Sequence, residues 1–300
     1  MHDVRLTSEQ RTIRIQNFID RMPNLSTTMT KVLEVCNQPQ TSAKDLNQVI
    51  SLDPVLTGRV LKLINSAYYS LPNKITSPTR AIIMLGLNTV KNLAWSTAVI
   101  RNLSKEDTFQ NISMDQFWTH SLCVGVAAKT LAAKKGIPVQ MREECFVAGM
   151  LHDLGKIVLS GCFPEEFGQA CSKAWDGHSS LRAIENEIFG FDHGAAGLMI
   201  AEKWEFNTSM TDSLSCHHDP AKAAEENREL VSIVAVANAY ANTFDLSTAG
   251  DPCQDNDTVA RGLELLGLQR DDLESLTETV EDEIEKARIF LTAAKGGDEA

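Results

Sequence analysis

Apolar residues recur along much of the chain at intervals of three and four positions, the spacing that places side chains on one face of an α-helix. The repeat is clearest in two segments, with apolar side chains at Val55, Leu56, Val60, Leu63 and Ile64 and again at Val90, Leu93, Ala94 and Ala98. Alternation with a period of two, which is typical of strands, is scarce. The pattern therefore predicts a large all-α fold of roughly a dozen helices.

Several helix starts are marked by a capping residue, whose side-chain oxygen accepts hydrogen bonds from the free N–H groups of a first turn. Asp53-Pro54 and Ser77-Pro78 each place such a residue before a proline, which loses nothing there by lacking an N–H. A long helix is also expected to begin at Ser113 and to end near Gly136.

A polar run over residues 102–111 divides the chain in our interpretation. Residues 1–108 are expected to form an N-terminal helical lobe, and residues 109–300 a second lobe that holds the candidate site and the C-terminal helices. Within the first lobe, the motif Asn65-Ser66-Ala67-Tyr68-Tyr69 either pins the end of a helix or presents a surface to a partner.

Composition and charge exclude several classes of protein. Of the 300 residues, 43% are hydrophobic and 23% are charged, as in an ordinary soluble globular chain. The longest apolar runs are far too short to span a membrane, and residues 1–10 lack the apolar core of a secretory signal. We therefore expect a cytoplasmic protein without membrane association.

The net charge of −12 argues against a general nucleic-acid binder, although residues 1–110 carry a net charge of +5.

Five of the seven histidines lie in helical or helix-terminal contexts: His120, His152, His193, His217 and His218. Asp153 follows His152 directly, and neighbouring helical residues point about 100° apart, so adjacent pairs that face a cavity can share one ion or bridge two. Imidazole and carboxylate suit zinc, iron, manganese or nickel. A single buried histidine is more often a hydrogen-bonded core residue than a ligand. Burying all six side chains without metal would, however, leave many polar atoms to satisfy, at about 1–3 kcal/mol for each unpaired one.

The order of these motifs resembles the HD superfamily of metal-dependent phosphohydrolases. The matching segments are Trp118-Thr119-His120-Ser121, Leu151-His152-Asp153-Leu154-Gly155-Lys156, Phe191-Asp192-His193-Gly194 and Cys216-His217-His218. Upstream, Asp53-Pro54-Val55-Leu56, the Asn65–Tyr69 motif and Ile75-Thr76-Ser77-Pro78 resemble the HDOD branch, the HD-related output domains, so that the resemblance spans about residues 22–220. It implies a bacterial signalling module: a multi-helical HD-superfamily bundle with an additional N-terminal helical lobe.

The resemblance also implies two sets of metal ligands that share Asp153. One set consists of Asp153, His193, His217 and His218, and the other of Asp153, His120, His152 and a distal acid. The distal position is occupied by Asn238, a neutral amide. We therefore expect one divalent transition metal ion, Fe, Mn, Zn or Ni, to bind well, and a second to bind weakly or not at all.

Two further departures bear on catalysis. Gln116 stands where related cyclic-di-GMP phosphodiesterases can carry a glutamate, and Asp219-Pro220 follows the histidine pair where those enzymes have a Gly-Tyr-Pro signature. Lys156 lies three residues after Asp153 on the same helix face. The family resemblance allows it to contact a phosphate or an acidic neighbour, and a solvated lysine is an equal alternative. No catalytic residue is assigned beyond this.

The leading hypothesis is a signalling output module with a partial HD-type metal site. It would act by binding other signalling proteins or a phosphorylated small ligand, without being an efficient enzyme. The alternative is a metal-dependent phosphohydrolase or phosphodiesterase that acts on a nucleotide or cyclic dinucleotide, because all the histidines and Asp153 are retained. Nucleic-acid binding by the basic N-terminal segment is a third and more distant hypothesis.

Overall fold

The computed structural model describes residues 6–22, 27–36, 38, 41–103, 112–242 and 256–291. Over these residues the chain forms seventeen α-helices, two short 3-10 helices and no strand, which confirms the predicted all-α fold. In chain order the α-helices are α1 (Ser8–Arg21), α2 (Thr27–Cys36), α3 (Ala43–Ile50), α4 (Pro54–Ile64), α5 (Pro78–Leu85), α6 (Leu87–Leu103), α7 (Met114–Lys134), α8 (Val139–Leu151), α9 (Leu154–Cys162), α10 (Pro164–Gly177), α11 (Leu181–Phe189), α12 (His193–Lys203), α13 (Thr208–Cys216), α14 (Arg228–Ala241), α15 (Asn256–Leu266), α16 (Arg270–Glu274) and α17 (Thr277–Ala287). The 3-10 helices are Pro220–Lys222 and Glu225–Asn227.

The chain divides into two compact units. The first comprises Met1–Pro23, Asp107–Ser121 and Leu151–Gly267, and the second comprises Asn24–Glu106, Leu122–Met150 and Leu268–Ala300. Each unit consists of three separate segments of sequence, and α7 and α8 each begin in one unit and end in the other. The lobe boundary at residue 108 stays a prediction.

The predicted helix starts are confirmed by their caps. The Asp53 side chain accepts hydrogen bonds from the backbone N–H groups of Val55 and Leu56, and α4 begins at Pro54, directly after Asp53. Ser77 caps α5 in the same way. The long helix α7 begins directly after Ser113 and ends two residues before Gly136, as expected.

In the second unit, Asn65 pins the end of α4, one of the two roles considered for its motif. Its side-chain amide donates to the carbonyl oxygens of Leu61 and Ile75, at 2.7 Å in both cases, and its Oδ1 accepts from the Ile75 N–H at 2.7 Å. One side chain thus ties the helix end to the segment that leads into α5.

The two tyrosines of the same motif surround a lysine. The Lys129 ammonium lies 4.2 Å from the centre of the Tyr68 ring and 5.0 Å from that of Tyr69, and it forms an ion pair with the buried Glu143. Tyr69 donates its hydroxyl to Glu143 at 3.0 Å. The cluster supplies partners for a carboxylate that would be costly to bury alone.

In the first unit, α9 packs against α12, and α12 packs against α13. All but one of the nine residues of α9 are buried. Gly155 in its first turn allows the α12 backbone to approach, because a Cβ at this position would overlap the His193 carbonyl oxygen and lie 2.7 Å from the Gly197 nitrogen. This contact sets how closely the start of α9 lies to the start of α12.

One stretch, 141–162, has the length and hydropathy of a membrane-spanning helix, which the sequence analysis did not anticipate. In the structure 94% of its most apolar window is buried inside the protein, and the stretch is broken by a turn at His152 and Asp153. These features are those of core helices.

The close approach at Gly155 predicts that Gly155→Ala is strongly destabilising. Because the added methyl group would meet backbone rather than a flexible side chain, α9 and α12 must separate, and we expect the free energy of unfolding to fall by about 3 kcal/mol. Gly58→Ala in α4 is the control, since nothing lies within 4 Å of its Cβ position, and it should gain up to about 1 kcal/mol. Urea unfolding followed by circular dichroism measures both, and equal effects would contradict the packing argument.

Candidate metal centre

Four segments of the first unit bring the predicted donors together. His120 lies on α7, His152 and Asp153 form the turn between α8 and α9, His193 is the first residue of α12, and His217 and His218 directly follow α13. The first five of these residues are at most 2% exposed, and His218 is half-buried. The structure therefore places all six side chains in one region, and their roles as ligands stay a prediction.

Three imidazole nitrogens and one carboxylate oxygen converge at the junction of α9, α12 and α13. Nε2 of His193 lies 3.3 Å from Nε2 of His217, 2.9 Å from Nε2 of His218 and 3.4 Å from Oδ1 of Asp153. Nε2 of His217 lies 3.7 Å from the same oxygen. Neighbouring ligands at about 2.0–2.1 Å from one ion are separated by roughly 2.8–3.4 Å in octahedral or tetrahedral geometry. The spacing of these donors fits one transition metal ion.

The second carboxylate oxygen of Asp153 faces a different group. Oδ2 lies 3.3 Å from Nε2 of His152, 3.7 Å from Nε2 of His120 and 2.7 Å from the ammonium of Lys156. Lys156 is only 2% exposed, so it is not the solvated lysine that was one alternative, and its neighbour here is acidic. Asp153 thus directs one oxygen to each group of histidines.

Asp153 is free to do this because it does not cap its own helix. Aspartate before a helix commonly accepts hydrogen bonds from the first-turn N–H groups. Asp153 precedes α9 but makes no side-chain capping bond, and its carboxylate points to the histidines instead. The positive end of α9 nevertheless favours its anionic form.

Two of the candidate ligand histidines, His193 and His217, are oriented by acceptors at Nδ1. Nδ1 of His193 donates to Oε2 of Glu185 at 2.6 Å, and Nδ1 of His217 donates to the Ser213 carbonyl oxygen at 3.0 Å. Because these acceptors hold the ring proton at Nδ1, the Nε2 lone pairs point at the common centre. Such outer partners are typical of metal-binding histidines.

Glu185 is the functional residue that the sequence analysis missed. It is fully buried on α11, and Oε2 also accepts the backbone N–H of His193 at 2.9 Å, one of the unpaired donors of the first turn of α12. Its signal in the sequence was faint: Leu181, Glu185 and Phe189 recur every four residues, so a carboxylate stands in the buried stripe of the helix.

Burial and neighbouring charges set the protonation of the donors. Burial lowers the pKa of His120 to about 3, and burial together with adjacent histidines holds the pKa of His217 and His218 well below the usual range. Burial would raise the pKa of Asp153, but His152 and Lys156 hold it well below its usual value. Neutral imidazoles beside a carboxylate are the forms that bind metal.

His193 differs from the other histidines. Burial would lower its pKa, but the adjacent Glu185 carboxylate outweighs this effect and raises it. The same carboxylate would increase the electron-donating strength of the ring towards a bound ion.

Asn238, at the distal position, lies near the candidate site, whereas Gln116, one turn before His120, is exposed to solvent. Asn238 on α14 lies beside His120, where it opposes the fall of that histidine's pKa. Within the described part of the chain, neither ring nitrogen of His120 nor Oδ1 of Asn238 has a hydrogen-bond partner of good geometry, although all three atoms are buried. Gln116 is exposed. Buried donors without partners fit a site that a cation or a ligand completes.

Replacing Glu185 by glutamine tests its role as a positioning residue. Glu185→Gln keeps the size of the side chain but removes the charge that orients His193, so we expect metal affinity to fall by about 10- to 100-fold. Glu187→Gln on the same helix is the control, because Glu187 is 64% exposed. Competition with a chelating indicator measures the affinity, and equal affinities in the two variants would contradict the assignment.

The lowered pKa values of His120, His217 and His218 predict that the metal-free protein loses stability as the pH falls from 7 to 5. The unfolded chain binds protons at these histidines near pH 6.5 whereas the folded chain does not, so acid favours unfolding. Each histidine contributes up to about 1.4 kcal/mol per pH unit.

His193 acts in the opposite sense, since its raised pKa stabilises the fold below about pH 6.5 and this contribution is lost as the pH rises through the folded-state value. Urea unfolding in the presence of chelator measures the profile. His120→Gln should show a shallower slope between pH 7 and 5, and a flat profile in the unmodified protein would be incompatible with neutral buried histidines.

Comparison with known proteins identifies similar sequences. The chain is 25% identical over 234 residues to an uncharacterized protein of Treponema pallidum (strain Nichols), an alignment that covers 78% of this chain and 45% of that protein. The chain spans less than half the length of the curated relatives it matches.

Solved structures share the fold. An HDOD domain protein of unknown function from Geobacter sulfurreducens superposes with a TM-score of 0.72 at 23% identity, covering 94% of this chain and 99% of that one. A proposed phosphohydrolase from Shewanella amazonensis SB2B superposes with a TM-score of 0.69 at 24% identity, covering 92% and 98%. The sequence model of the HDOD domain family matches residues 22–220, which is more than half of the chain. The chain therefore belongs to the HDOD domain family.

Proposed function

We propose that this chain is a signalling output module that holds one divalent transition metal ion and acts by binding a ligand or another protein rather than by turnover. The observation that carries the proposal is the convergence of Nε2 of His193 and Nε2 of His217 on Oδ1 of Asp153, with Nε2 of His218 2.9 Å from that of His193. These four residues would hold the ion. When bound, a divalent ion supplies a Lewis acid that attracts phosphoryl and carboxylate oxygens.

The burial of the donors supports binding over catalysis. His193 and Asp153 are fully buried and His217 is 1% exposed, so of the four donors only the half-buried His218 lies where a substrate could approach the centre. On the other side of Asp153, the amide of Asn238 supplies no charge for a second ion. A centre with one enclosed ion suits a module whose conformation, and hence whose partner surface, depends on metal or on a phosphorylated ligand.

Phosphohydrolase activity is the second candidate function. It is favoured by the arrangement of Asp153, which directs Oδ1 to one histidine group and Oδ2 to the other, as a carboxylate shared by two ions would. The name of the related structure from Shewanella amazonensis points the same way. A nucleotide or cyclic dinucleotide is the substrate class that this function would require, and other signalling proteins remain the proposed partners of the binding function.

Metal analysis and a hydrolysis assay distinguish the two functions. The purified protein, dialysed against Mn²⁺ or Zn²⁺, should contain about one ion per chain by mass spectrometry, and Asp153→Ala should lose it together with the rise in melting temperature that metal gives. Hydrolysis of bis-p-nitrophenyl phosphate should stay close to the rate of Asp153→Ala.

Asp176→Ala, in an exposed position of the first unit, is the control and should keep both properties. Metal-dependent hydrolysis that is high in the unmodified protein and abolished in Asp153→Ala would replace the binding function by the phosphohydrolase. The absence of bound metal would contradict both.

A further inference from the structure

We infer that the ammonium of Lys156 is a built-in cation for the half of the centre formed by His120 and His152, and that it limits the protein to one metal ion. The inference rests on the proposed function, because it concerns the number of ions at the same site. It assigns Lys156 a role in metal stoichiometry, which differs from contact with a phosphate.

The position of the ammonium is the first observation. Lys156 Nζ lies 2.7 Å from Oδ2 of Asp153, closer than the Nε2 atoms of His152 at 3.3 Å and His120 at 3.7 Å. A metal ion held by these two histidines would take Oδ2 as its carboxylate ligand. Lysine and metal therefore compete for one oxygen atom.

The lysine is held in place by its helix. It lies one turn after Asp153 in α9, a helix buried along nearly its whole length, and its side chain is 2% exposed. A buried ammonium that loses its carboxylate pays a large desolvation penalty without compensation. Displacement of Lys156 from Oδ2 is thus costly, and solvent cannot take over as its partner without rearrangement of the core.

Charge balance is the second observation. Asp153 and Glu185 contribute two negative charges at the centre, and Lys156 contributes one positive charge, which leaves a net charge of −1 when the imidazoles are neutral. One divalent ion changes this to +1, whereas two would give +3 in a region where burial weakens screening. The structure tolerates the first ion far better than the second.

The same balance determines which half takes the ion. Oδ1 of Asp153 faces His193, whose ring is hydrogen-bonded to the buried Glu185 carboxylate. Oδ2 faces Lys156 and lies on the side of His120 and the neutral Asn238 amide. Negative charge is concentrated around Oδ1, and positive charge already occupies Oδ2. The ion therefore belongs with His193, His217 and His218.

Restoring the missing acid while keeping or removing the lysine tests the inference. Equilibrium dialysis against Mn²⁺, with Zn²⁺ in parallel, should give one ion per chain for Asn238→Asp and two ions for Lys156→Met/Asn238→Asp. The methionine has a similar volume and is neutral. Lys173→Met/Asn238→Asp is the matched control, because Lys173 is 54% exposed, and it should stay at one ion.

Two ions in Asn238→Asp would overturn the inference, since the lysine would then be no barrier, and so would one ion in the folded double variant. Both results leave the proposed function intact. No ion in the unmodified protein would instead refute the proposed function. Circular dichroism with and without Mn²⁺ reports folding. If the double variant folds only with metal and then binds two ions, this result also supports the inference. If that variant does not fold at any Mn²⁺ concentration, Lys156→Gln/Asn238→Asp decides by the same criterion.

Discussion

The first unit is organised around Asp153, a fully buried carboxylate that makes no helix-capping hydrogen bond. Asp153 sits in the turn that interrupts the apolar stretch 141–162, and its charge requires cationic or proton-donating neighbours in a place that water does not reach. Lys156 satisfies one oxygen, and a group of imidazole nitrogens surrounds the other. Without these neighbours the buried charge would destabilise the core, and with them the turn carries the convergent donors of the candidate metal centre.

The packing of three helices converts this local requirement into a geometry. Gly155 permits contact between the first turns of α9 and α12, which brings His193 to Asp153. Gly194 lies close to the Ser215 backbone, which brings the end of α13, and with it His217, to the same point. Small residues next to the candidate donors therefore fix the distances between them, and the acceptors Glu185 and Ser213 fix the ring orientations.

Local chemistry explains which features could be predicted from the sequence. Capping residues before prolines and the three- and four-residue apolar spacing are local signals, so the all-α fold and the starts of α4 and α5 were predictable. The ordered histidine motifs likewise pointed to side chains that lie together. Glu185 was missed because, in the sequence alone, a single buried acid cannot be distinguished from a surface acid until its partner is known. Burial of Lys156 and the assembly of each unit from separated segments depend on long-range packing, which periodicity does not encode.

We propose that Asp153 holds one cation of each kind, a metal ion at Oδ1 and the Lys156 ammonium at Oδ2. A crystal structure of the metal-loaded protein, with anomalous diffraction recorded at the absorption edge of the ion, tests this most directly. We predict a single anomalous peak at about 2.0–2.2 Å from Nε2 of His193 and from Oδ1 of Asp153, with Lys156 still on Oδ2. Two peaks on either side of Asp153, or one peak between His120 and His152, would contradict it.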